Sequence, residues 1–76
     1  MPRYYFNVAC EGFETIDVVG EQCRNDVEAL SGALRVASAV VRKRLLANDI
    51  AHGGSIEVED EQHRPVLSLP LRAAAY

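Results

Sequence analysis

In this 76-residue chain the side chains able to do chemistry are few and scattered. Nucleophilic catalysis needs a Ser or Cys beside a base, with a third group orienting that base. Ser31, Ser38, Ser55 and Ser68 sit in no strand-turn-helix elbow, and His52 and His63 read as isolated, with no good metal ligand at helical spacing. Cys10 and Cys23 form no Cys-x-x-Cys pair and have no neighbour that would depress a thiol pKa, so both are expected to be reduced and structural. Gly53-Gly54 precedes a strand rather than a helix, and no Lys-Ser/Thr pair follows, so it reads as a connector and not a phosphate cradle. Glu57, Glu59, Asp60 and Glu61 are the right chemistry for a hard cation. Yet the first two alternate with Ile56 and Val58 on a strand, and the last two open a turn. The expectation is therefore no catalytic group, no metal and no cofactor.

One basic cluster stands out, Arg42-Lys43-Arg44. It is the candidate contact for an anion or a nucleic acid, which a run of cations attracts through phosphate charge. Three cations near a helix C-terminus also have a reason of their own, the negative end of the helix dipole. The whole chain carries a net charge of −3, which disfavours nucleic acid as partner.

These groups are positioned by elements that the pattern makes legible. Arg3 to Ala9 alternates, with Tyr4, Phe6 and Val8 on one face and Arg3, Tyr5, Asn7 and Ala9 on the other, which predicts a strand. Phe13 to Val18 predicts a second, weaker strand, paired with the first as a hairpin and ending at Val19-Gly20-Glu21. Asn25-Asp26-Val27-Glu28 fits a capping box, in which Asn25 accepts an amide of the first turn and Glu28 reaches back to the Asn25 amide. The helix that follows is predicted over Asp26 to Ala47. Ser55 to Glu59 and Pro65 to Leu71 predict two more strands, with Pro70 placing the last at a sheet edge or ending it there. Arg72 to Tyr76 reads as a tail. The order is ββαββ: an α+β fold over 1–76, one domain, in which a single long helix covers one face of a small antiparallel sheet.

Projected at about 100° per residue, the helix carries two apolar surfaces. Val27, Leu30, Leu34, Ala37, Val41 and Leu45 form the expected core stripe. Ala29, Ala33, Val36, Val40 and Ala47 form a shoulder beside it, and together the two exceed what a one-sided sheet covers. A helix of this length, about 33 Å, is also longer than strands spanning about 23 Å, so its basic end should overhang.

Composition bounds the rest. Apolar residues make up 49% of the chain and charged residues 25%, which excludes disorder by composition. No apolar run is long enough to span a membrane, and the start, Met1-Pro2-Arg3-Tyr4, has no signal-peptide pattern. Domains of this size bury little apolar surface and commonly gain stability from a disulfide, a metal or a partner chain. With the first two excluded above, a homodimer is the expectation. Its candidate contacts are Ala29, Ala33, Val36 and Val40 on the shoulder and Tyr5 and Asn7 on the helix-free sheet face. The predicted role is a non-enzymatic interaction or regulatory module; the alternative is nucleic-acid binding through Arg42, Lys43 and Arg44.

The N-terminal block Met1-Pro2-Arg3-Tyr4-Tyr5-Phe6-Asn7-Val8, with Asp17-x-x-Gly20-Glu21, the Ala-rich helix and the Ile56-Glu57-Val58 and Val66-Leu67-x-Leu69-Pro70-Leu71 segments, resembles a family of short uncharacterised bacterial proteins that begin Pro-Arg-Tyr-Phe-Phe-His. Asn7 stands where that family has His, and Gln62-His63-Arg64 where it has a Gly after the Asp-Glu turn. The resemblance implies a single domain in a bacterial cytoplasm and no transferable activity.

Overall fold

A five-stranded antiparallel sheet is built around β1 (Arg3–Cys10) and carries one helix, α1 (Asp26–Leu46), on one face. The structure, a computed structural model, describes residues 1–10, 13–46 and 54–74. β1 is flanked on one side by β4 (Ser55–Glu59), which in turn pairs with β5 (Pro65–Pro70). On its other side β1 pairs with two short strands in succession, β2 (Phe13–Thr15) and β3 (Glu21–Gln22). A short 3-10 helix, Leu71–Ala74, follows β5 directly. The α+β class, with strands on both sides of one helix, agrees with the sequence pattern.

The second strand differs from its expectation. It ends at Thr15 rather than Val18, and the chain returns to β1 only at Glu21. Between the two, the Asp17 carboxylate takes the place of a strand: its Oδ2 accepts the Phe6 amide at 3.1 Å. Its Oδ1 accepts the amides of Val19 at 3.1 Å and Gly20 at 3.0 Å. Asn7 Oδ1 accepts the Asp17 amide at 2.9 Å. The loop is thus stitched to β1 through side chains, and the expected single strand is split in two. Gly20 closes the turn with φ +76°; a Cβ there would lie 2.9 Å from the Tyr4 carbonyl oxygen, so only glycine fits.

The helix starts where its cap predicts. Asn25 Oδ1 accepts the Glu28 amide at 3.0 Å. The reciprocal half of the box is displaced by one residue, because Glu28 Oε1 accepts the Arg24 amide at 3.1 Å rather than that of Asn25. α1 runs alongside β1, with Asp26 over Tyr4, whose hydroxyl donates to Asp26 Oδ1 at 2.7 Å, and Gly32 over Phe6.

Which helix face is buried overturns the sequence expectation for Val27, Leu30 and Leu34, while Ala37 and Val41 of the expected stripe do pack into or against the core. Ala29 and Ala33 are 0% exposed and Ala37 is buried with them, whereas Val27 is 75%, Leu30 37% and Leu34 39% exposed. The reason is steric. Tyr4 and Phe6 bring their bulk from the sheet, so the helix backbone must come close: a Cβ on Gly32 would sit 3.0 Å from Phe6 Cζ. Small side chains fit that approach, and leucines at the same radius would not. Ala29 and Ala33 therefore belong to the core of the subunit, and as candidate interface contacts they are withdrawn. Leu45 and Ala47 lie outside what the structure describes for side chains.

The remaining core comes from Val8, Ile56, Val58, Cys23 and Leu71. Ile56 and Val58 alternate inward on β4, and each buried aliphatic side chain contributes about 1.5–3 kcal/mol. Leu71, expected as the end of the last strand, instead opens the 3-10 helix; its amide donates to the Gly54 carbonyl at 2.9 Å. That helix packs against α1, so part of the expected tail is structured and lies beside the long helix.

Candidate functional site

The groups singled out for chemistry are mostly consumed by the fold. Asp60 organises the turn between β4 and β5: its Oδ1 accepts the amides of Gln62 and Arg64, each at 2.9 Å, and its Oδ2 accepts Arg64 Nε at 3.0 Å. The Arg64 amide holds the Asp60 carboxyl below its ordinary range; burial opposes this, and the Gln62 amide and the Arg64 guanidinium add to it. Glu57 Oε1 accepts hydroxyls from Ser68 at 3.0 Å and Ser55 at 3.4 Å. No group of three or more His, Cys, Asp or Glu among the described residues has the geometry to hold a metal ion. His52, Gly53 and the side chain of Cys10 lie outside the described residues.

Cys23 is a buried free thiol, pushed up mainly by burial and further by Glu21 and Glu28, which is the opposite of nucleophile activation. The Tyr4 hydroxyl is pushed up to about 12, chiefly because it donates to the Asp26 carboxylate. For Asp17, burial works against the charge, but the amides of Gly20, Phe6 and Val19, with Arg3 nearby, outweigh it and hold the carboxyl below its ordinary range. All three shifts arise from structural contacts.

The helix-free sheet face carries a second arrangement. Tyr5 stacks on His63, with ring centroids 4.5 Å apart and planes 28° from parallel. His63 Nδ1 lies 3.2 Å from Glu59 Oε1, a contact between residues four apart in sequence. His63 was read as isolated because Glu59 looked like one more charge on a solvated strand; the turn brings it back over that strand. His63 also holds φ 62°, the left-handed conformation that glycine adopts most easily, and it sits in the turn where the resemblance expects one. Tyr5 and Asn7, the two candidates from this face, are both half-buried, and the Asn7 carboxamide is engaged by Asp17.

Beyond Met1, the exposed large apolar side chains among the described residues lie in two places, Ile16, Val18 and Val19 between β2 and β3, and Val27, Leu30 and Leu34 on α1. Val36 and Val40, the other shoulder candidates, are half-buried and line an open groove of about 500 Å³ under the Ile16–Gly20 segment, facing Val18 and Val19. That is the β2 and β3 side, where Arg35 also pairs with Glu21 at 2.9 Å. The flank of α1 away from that groove carries Val27, Leu30 and Leu34, while Val41, in line with them, is half-buried and packs against the core. Residues at these spacings share one helix face. Arg42 and Lys43 are exposed beyond it, and the side chain of Arg44 lies outside the described residues. Successive residues diverge by about 100° around a helix, so the basic cluster is spread rather than gathered into one patch.

A small antiparallel sheet with one helix, several of its polar side chains engaged in turns and the helix cap, defines an α+β fold. The chain belongs to a family described as a domain of unknown function (DUF6894), whose model matches residues 3–72. Searches of curated proteins and of solved structures return no match. No helix among the described residues is long and apolar enough to cross a membrane.

Proposed function

We propose that this protein is a non-enzymatic interaction module that acts as a homodimer through the outer flank of α1, in the bacterial cytoplasm that the family resemblance implies. One observation carries the reading: Val27, Leu30 and Leu34 stay 75%, 37% and 39% exposed while the sheet is already covered by alanines. A row of large apolar side chains on the water side of a helix lowers stability and solubility unless something covers it. Association through the sheet edges is the poorer alternative. The Leu71 amide bonds back to Gly54, so by alternation Leu69 and Leu67 also point their amides inward, toward β4. Pro70 then sits where an outward N–H is missing, which blunts the open edge of β5.

Sedimentation velocity tests the reading. The wild-type chain is expected to be a dimer at micromolar concentration, and Val27→Lys combined with Leu34→Gln a monomer whose circular dichroism is unchanged. A wild-type monomer across that range refutes it. The nucleic-acid reading rests on the exposed Arg42 and Lys43 and predicts binding that weakens steeply with salt. Absence of a salt-dependent shift with mixed oligonucleotides removes it.

A further inference from the structure

We draw no further inference here: the strongest candidate, the open apolar groove between the Ile16–Gly20 segment and α1, floored by Phe6, Val8, Val36 and Val40, is an unpartnered face, and nothing in the structure shows what covers it.

Discussion

Asp17 does at the scale of one side chain what a sheet normally does with backbone, closing the gap between β2 and β3 by accepting the Phe6 amide. Its charge is favoured by three amide donors, so its folded pKa lies below the ordinary 3.8. A group depressed on folding contributes stability that is fully present above its unfolded pKa and is lost as pH falls through the folded value. Asp17→Asn keeps one oxygen for Val19 and Gly20 but turns an amide toward the Phe6 N–H. It should cost about 1–2 kcal/mol at pH 7, at the lower end because the side chain is partly solvated. Urea unfolding from pH 7 to pH 2 checks the sign: the two stability curves should stay apart above about pH 4 and converge below it. A difference that is constant down to pH 2 would mean that the carboxylate charge has no share in the effect.

At the scale of elements, the helix is where reading the sequence succeeded in outline and failed in orientation. Its bounds followed from Asn25, from the acidic first turn and from the apolar period, all of them local signals. Which face turns inward is not local, because it depends on what the sheet presents. Burial by hydrophobicity selects Leu30 and Leu34, but Tyr4 and Phe6 occupy that depth, so the alanines one step around the helix go in. The signal was present in the alternation of β1, whose inward positions are two aromatics and a valine; matching large against small across the interface would have found it. The split of β2 from β3 was hidden for a similar reason, since an Asp replacing a backbone partner leaves no periodicity. By contrast Asn25, Ile56 and Val58 were legible because one neighbour or one alternation decides them. The buried face makes a prediction opposite to the sequence reading: Ala33→Leu should destabilise the fold by about 1–3 kcal/mol through overpacking against Phe6. Leu34→Ala, at a position 39% exposed, should cost less. Thermal and urea melts of the two variants rank them, and the reverse order would restore the leucine face to the core.

At the scale of the whole molecule, the stability of a chain this short is tied to what it binds. Its inward aliphatic and aromatic side chains come from three strands, one helix face and Leu71, and its exposed large apolar side chains are divided between the helix flank and the Ile16–Val19 segment, with Met1 besides. If two copies share that flank, unfolding and dissociation are coupled and the melting temperature depends on protein concentration. Unfolding entropy is about 2.1 cal/mol/K per residue near 60 °C, and a tenfold change in concentration is worth about 1.4 kcal/mol per dimer. For two chains of 76 residues the melting point should therefore rise by about 4 °C per tenfold increase in concentration. A monomer shows no such slope, and neither should Val27→Lys combined with Leu34→Gln, because a charge and an amide on the flank remove the cover without touching the alanine-lined core. Calorimetry from ten micromolar to one millimolar separates the cases. A flat wild-type profile would mean that the leucines stand in water unaided, and that the aromatic strand facing Ala29 and Ala33 suffices to hold a single copy together.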